Sequence, residues 1–313
     1  MANHHNKTNL FVDKQPGGDF LVVDQGITTG DVFFVDSATG TNRVSAGRSP
    51  ESPFATLDYA VDYCTASSGD IIYLMPGHAE STSTENAELF DLTVPGISVI
   101  GLGVGDKRPT FTLEVATATV VISAANCRLS NVRIIGNITD LATGVEVEAA
   151  AVGTRIDHCY IGDSGTSLDM LVAVAVAANA DRLIFEDNHI NITIGGEATE
   201  GIAFAGGCDG LIMRRNIMVG DWKTGGAIEA STAASTNILI YENVVSNHDG
   251  AAGLAYNGNA GTTGGMFKNY LHGDKNGTVP VATQDGLFTG ECYGGDEPAT
   301  SGIIQGAAAT AWA

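Results

Sequence analysis

The sequence predicts an all-β solenoid, a chain wound into about eight or nine coils of short stacked strands and closed at its N-terminal end by one helix. Three observations carry that expectation. An apolar position recurs at Leu129, Ile156, Phe185, Met213, Ile240 and Met266, at intervals of 27, 29, 28, 27 and 26 residues. An Asn stands three residues after that position at Asn188, Asn216, Asn243 and Asn269. The stretches between them alternate Ile, Val, Phe and Met with polar residues, are broken by Gly, Asn, Asp and Thr, and hold no ten-residue helical pattern. A period of this length marks a stacked architecture, and alternation at two residues marks strands. Helical and leucine-rich repeats are thereby excluded. Coils spaced by about 4.8 Å give a rod roughly 40 Å long.

Residues 1–45 precede the repeat as an arm with lead-in strands. "GDFLVVDQG" and "GDVFFVDSATG" each read as a short strand ending in a turn. The first has no coil to pair with and is expected to pack as an arm against a neighbour.

Residues 46–70 hold the capping helix, expected over 49–66. Ser52 is placed to cap it, Pro53 suits the first helical position, and Phe54, Leu57, Val61 and Cys64 share one face. Gly69 and Asp70 end it. An amphipathic helix there would cover the open apolar interior of the first coil.

Residues 71–290 form the solenoid. The apolar ladder extends back through Leu102 and Leu74 at 27 and 28 residues. The recurrent Asn tolerates the left-handed backbone of a sharp corner, and its amide both donates and accepts, so stacked copies can bond along the rod. Val132 and Cys159 occupy that place in the earlier rungs, which confines the Asn ladder to the later coils. Residues 291–313 are a small, apolar tail whose Ile303, Ile304 and Trp312 either plug the last coil or dock on a neighbouring subunit.

These features resemble the right-handed parallel β-helix of the pectin-lyase-like superfamily, whose members often carry an Asn ladder at such a bend. A second stretch, "VDSATGTNRVSAGRSPESPFATLDYAVDYCTASSGDIIYLMPGHAEST", is similar to the opening segment of many of them: a Gly-rich turn, Ser-Pro, a helix, Gly-Asp, a strand and Pro-Gly. The two together span residues 32 to about 290.

That fold hosts lyases, hydrolases and non-catalytic structural proteins, so function must be read from sites. "GLGVGDKRPTFTLEVATATVVISAANCRLSNVRI" resembles bacteriophage virion proteins of this fold, including head decoration proteins and fibres. The resemblance implies a non-catalytic virion structural protein, a capsid decoration or fibre-like subunit. Its partners would be capsid or other virion proteins, copies of itself and, for a fibre, a host glycan. The alternative is a polysaccharide-degrading enzyme, a tailspike-like glycosidase or lyase working through carboxylates on one β-helix face.

Composition narrows the partners. A net charge of −21, from 36 acidic against 15 basic residues, opposes binding to nucleic acid or anionic lipid. "MANHHNKTNLFVDK" lacks the apolar centre of a signal peptide, and no run of eighteen apolar residues occurs. The expected location is a virion built in the host cytoplasm. Cys64, Cys127, Cys159, Cys208 and Cys292 are scattered and odd in number, against a disulfide framework or a zinc site. Cys127 and Cys159 read as buried thiols.

No catalytic, cofactor or metal residues are assigned from the sequence. Glu146 and Glu148 alternate with Val145 and Val147 and project to one face, with Glu229 three turns on. A glycosidase needs two carboxylates ~5.5 Å apart for retention or ~6.5 to 9.5 Å for inversion. Glu146 with Glu148, or Asp157 with an acid on the next turn, could meet that need, yet solvated surface is the simpler account in so acidic a chain. A calcium-assisted lyase also needs a basic residue, and the five segments from "GVEVEAAA" to "GLAYNGN" supply none. His158, His189, His248 and His272 fall near bends beside acids, where turn hydrogen bonding accounts for them. His78 is expected to face solvent.

Overall fold

The computed structural model describes residues 28–82, 88–166, 168–196, 198–250, 253–273, 281–282 and 286–295, with the backbone of 14–15, 18–19 and 302–304. Three parallel sheets run the length of the molecule, and within each the strand order advances by one strand per coil. The first sheet holds ten strands from Val32–Val35 to Leu287–Gly290. The second runs from Ala79–Ser81 to Cys292–Gly295, and the third, of eight strands, from Glu88–Asp91 to Val281–Ala282. Eight complete three-strand coils result, a parallel β-solenoid as expected from the repeat.

Alternation explains the core. Leu129, Ile156, Phe185, Met213, Ile240 and Met266 pair in one register column of the first sheet, and all are buried. Burying one such side chain stabilises by about 1.5 to 3 kcal/mol, and stacking makes each rung the floor of the next.

The backward extension of that column is corrected by the structure. Leu129 pairs with Val99, Val99 with Ile72 and Ile72 with Phe33, so Leu102 and Leu74 lie outside it. The reason is an inserted turn. Residues 102–109, including the short 3-10 helix Gly105–Lys107, separate Ser98–Gly101 from Thr110–Leu113 where later coils turn in two residues.

The helix is also shorter than expected, Leu57–Val61, and its cap is Thr56, whose side chain accepts from the Tyr59 N–H. Phe54 cannot be helical because its N–H donates to Phe34 O at 2.9 Å and its carbonyl accepts from Asp36 N–H at 2.8 Å. Pro53 and Ser52 are held outside the helix with it. The expected apolar face survives, since Phe54, Leu57, Ala60 and Val61 are buried in the core and Cys64 packs against it.

Of the lead-in strands, Val32–Val35 forms the outermost strand of the first sheet, paired in parallel with Ile71–Leu74. In the earlier segment, Lys14–Gln15 pairs antiparallel with Gly18–Asp19, and residues 20–27 lie outside the described residues. At the other end, Gly302–Ile304 pairs antiparallel with Cys292–Gly295; Trp312 lies outside the described residues. No helix among the described residues is long and apolar enough to cross a membrane.

Candidate functional site

The first and second sheets meet at a sharp bend that repeats in every coil from Arg128 onward, and this edge gathers Arg128, Arg133, Arg155, Arg214, Arg215 and Lys268, half of the basic side chains among the described residues. Three columns define it. Inside the corner stand Cys159, Asn188, Asn216, Asn243, Asn269 and Cys292, all buried. The Asn188 N–H donates to Asn216 Oδ1 at 3.0 Å, Asn216 Nδ2 to Asn243 Oδ1 at 2.9 Å, and Asn243 Nδ2 to Asn269 Oδ1 at 3.0 Å. Cys159 N–H donates to Asn188 Oδ1 at one end, and Asn269 Nδ2 reaches Cys292 Sγ at 3.6 Å at the other. The thiols are therefore the termini of the ladder, and burial pushes Cys159 up to about 12.

The left-handed residue of the corner is not the Asn but its predecessor. His158, Asp187, Arg215, Glu242, Lys268 and Glu291 all have φ between 52 and 57°. This placement is physical: the left-handed residue throws its side chain outward, and the next one turns inward where an amide can stack. Each such non-Gly corner costs on the order of 1 kcal/mol, which the amide ladder offsets.

The third column sits at the end of the first-sheet strands and holds Ser130, Asp157, Glu186, Arg214 and Tyr241 in register. Asp157 and Glu186 are the pair of acids on successive turns that the sequence allowed for glycosidase geometry. Both are fully buried under arginines. Asp157 takes Arg128 Nε at 2.7 Å and Arg155 Nε at 3.1 Å, while Glu186 takes Arg155 at 2.5 Å, Arg215 at 3.0 Å and also Arg214. Burial alone would raise Asp157, yet the hydrogen bonds of Arg128, Ser130 and His158 outweigh it and hold the carboxyl below its usual range. Arg215 does the same to Asp187. Asp157 and Glu186 are neutralised by arginines and shut off from solvent, so neither is presented to a substrate.

Beyond Arg215 the edge changes character. Its outward positions become Ile217, Leu239, Val244, Phe267, Tyr270, Phe288 and Tyr293, all exposed, Phe288 at 72 % and Tyr270 at 58 %. Tyr270 and Tyr293 stack with centroids 5.4 Å apart and planes 17° apart. With Glu242, Val244, Lys268 and Glu291 they line an open cleft of about 360 Å³. Lys268 Nζ is 4.0 Å from Glu291, and Glu242 makes no ion pair among the described residues. Beside it, Ser246 Oγ lies 3.0 Å from His248 Nε2 and 3.1 Å from His272 Nδ1.

The third sheet carries the acids singled out in sequence. Glu146 is exposed on Leu141–Val147, between buried Val145 and Val147, and its column continues through Ala175, Ala203 and Glu229. Glu148 is exposed just past the strand. Glu229 has left solvent: its carboxylate accepts from Ser231 N at 2.7 Å, from the Ser231 hydroxyl and from Asn257 Nδ2 at 2.7 Å. Sequence reasoning missed its neighbour Glu200, raised by burial and then by Glu229. A methyl group placed on Gly225 would stand 2.8 Å from Glu200 Oε1 and 2.8 Å from Glu229 Oε2, so the two oxygens are less than twice that distance apart. Two carboxylates this close are near the separation of a retaining pair, but Glu229 is buried and already held by Ser231 and Asn257.

Of the five described histidines, His78, His158, His248 and His272 hydrogen-bond to neighbours. His158 bonds Asp157 at 2.8 Å, and His189 lies edge-on to Tyr160, lowered by burial and by Arg108. His78, expected in solvent, is buried instead: Nδ1 accepts from Ser37 N–H at 3.0 Å and Nε2 meets Glu80 Oε1 at 2.8 Å, whose oxygen also takes the Leu57 N–H. The strand turns it inward because the lead-in turn at 36–39 covers that corner. Among the described residues no group of three or more His, Cys, Asp or Glu could hold a metal ion.

No family model matches the chain, and no curated protein matches it. Among solved structures it is similar to a rhamnogalacturonan lyase at 16 % identity, covering 78 % of this chain and 74 % of that one with a TM-score of 0.40. It is also similar to the pectin methylesterase from Aspergillus niger at 12 % identity, covering 93 % and 94 %, with a TM-score of 0.47.

Proposed function

We propose that this chain is a non-catalytic structural subunit of a bacteriophage particle, a capsid decoration or fibre-like rod that binds its neighbours through the C-terminal half of the bend edge. One observation carries the assembly role: among the described residues, seven exposed large apolar side chains gather on one edge of one end, while Val44, Val104 and Ile194 lie singly elsewhere. Monomeric proteins seldom leave so contiguous an apolar patch uncovered. The particle assignment rests on the resemblance of residues 101–134 to virion proteins of this fold.

A polysaccharide-degrading enzyme is the second reading, favoured by the Glu200 and Glu229 pair. Two features weigh against it. Glu229 is held by Ser231 and Asn257, and Asp157 with Glu186 lies buried under arginines.

The test is quantitative mass spectrometry of purified particles, counting this chain against the major shell protein. Hundreds of copies are expected of a decoration subunit and a few of a fibre. Absence from particles, together with cleavage of a polysaccharide that is lost in Glu229→Gln, overturns the structural reading and installs the enzyme.

A further inference from the structure

The bend edge is self-complementary under a two-fold axis, and the geometry points to an antiparallel homodimer formed through it. The inference rests on the assembly reading above and names the partner of that surface as a second copy of this chain.

The argument begins with charge. A chain of net charge −21 repels its copies everywhere except where its charge cancels locally. On this edge it nearly does. The outward corner column alternates in sign from coil to coil, Asp187, Arg215, Glu242, Lys268, Glu291. Neighbouring corners are one strand spacing apart, about 4.8 Å.

Two such columns can meet in few ways. A two-fold axis along the rod sets each corner beside its own copy and opposes like charges at every rung. An axis across the rod reverses one copy. Centred on Glu242, it again opposes like charges. Centred midway between Glu242 and Lys268, it sets Glu242 against Lys268 of the other copy, twice by symmetry, and brings Glu291 up to Arg215, which already holds Asp187 and Glu186 of its own chain.

The same operation decides the apolar columns. It lays each second sheet on its own counterpart, so Val244 faces Tyr270 and Ile217 faces Tyr293 across the axis, since these residues pair in sequence along one register column. An axis midway between Arg215 and Glu242 also opposes unlike charges, but it carries Tyr270 onto the polar His189; the axis between Glu242 and Lys268 is the one that joins opposite charges and sets Ile217 and Val244 against tyrosines. Closed two-fold contact between identical patches is the commonest form of homo-oligomer. Four rungs give a contact only about 20 Å long, at the small end of specific interfaces, so a micromolar dissociation constant is expected.

The experiment is sedimentation equilibrium of the full chain from about 1 to 200 µM, a range that brackets micromolar affinity. The wild type is expected to shift from monomer to dimer across it. Lys268→Glu should weaken the dimer at least tenfold, and adding Glu242→Lys in the same chain should restore it, because the exchange recreates both pairs. All these side chains lie on the surface, so circular dichroism should show unchanged folding. Orientation is read separately: under mild oxidation a mixture of Val244→Cys and Tyr270→Cys chains should form a disulfide-linked heterodimer, and neither chain alone should. A monomer at every concentration overturns the inference, as do homodisulfides from either variant alone or a double exchange that fails to restore the dimer. None of these outcomes alters the copy number in particles, so the assembly reading stands or falls on its own measurement.

Discussion

The bend edge and the third sheet both bury carboxylates, but in opposite electrostatic settings. On the edge, Asp157 and Glu186 are encased by Arg128, Arg155, Arg214 and Arg215, and Asp157 lies below its ordinary range. On the third sheet, Glu200 shares its surroundings with another acid, Glu229, and is raised. The difference teaches where this acidic chain placed its scarce cations. They were drawn to the corner, where left-handed residues set long side chains side by side at strand spacing. The third sheet, with Ala175 and Ala203 between its acids, was left to hydroxyls and amides.

The sharpest way to break this contrast is to remove a member of the corner itself. Asn216→Ala removes three buried hydrogen bonds, to the Asn188 N–H, to the Phe185 carbonyl and to Asn243 Oδ1, the last oxygen keeping a partner in the Asn216 N–H. At about 1 kcal/mol or more for each, the cost is about 3 kcal/mol, against about 1 kcal/mol for Asn257→Ala on the third sheet, which gives up one bond to Glu229. Urea unfolding of the two variants compares them directly. Equal midpoints would remove the ladder as the source of stability at the bend.

Asp157→Asn comes next. It leaves Arg128 and Arg155 facing a neutral amide, with an expected loss of about 2 kcal/mol at neutral pH, below the usual range for buried pairs because the arginines remain partly in water. The sign with pH follows from the lowered carboxyl. Its contribution is fully present above the unfolded value of about 3.9 and is lost as pH falls through the lower folded value. Wild type and variant should therefore converge in stability below about pH 4, and Asp187 adds to the same acid-side loss. A difference that persists unchanged at pH 3 would show that packing, not charge, makes Asp157 matter.

How much of this could be read from the sequence differs between the two regions for a physical reason. A period of 26 to 29 residues exposes every column whose members share a chemistry, so the apolar ladder and Asn188 to Asn269 were visible at once. Columns of mixed chemistry hide in the same period. Arg128 pairs in register with Arg155 and Asp157 with Glu186, but each run of one charge lasts two rungs before Ile184 or Arg214 replaces it, too short to stand out as a repeat. The left-handed conformation falls one residue before the recurrent Asn: Asn131 takes it in the first bend, but in later coils Asp187, Arg215, Glu242 and Lys268 take it and the Asn that follows turns inward. Glu229 was found, since Glu146 shares its column. Glu200 was not, because it stands in a different register column, opposite Gly226, so its nearness to Glu229 follows no repeat spacing.

Glu200 also gives the smallest and most specific test of the contrast. Because burial and Glu229 raise it, its charge destabilises the fold, and that penalty is present above the raised folded value and relieved as pH falls below it. Glu200→Gln keeps the shape and removes the charge, so it should stabilise the protein near pH 7 by on the order of 0.5 kcal/mol, a modest figure because Glu200 still touches water. The gain should vanish under acid conditions, where the wild-type carboxyl carries its own proton. The two regions then respond to one chemical change, carboxylate to amide, with opposite sign at neutral pH: Asp157→Asn lowers the thermal midpoint and Glu200→Gln raises it. If both lower it, Glu200 is held by a favourable contact that outweighs its proximity to Glu229, and the third sheet is not the unbalanced side of the rod.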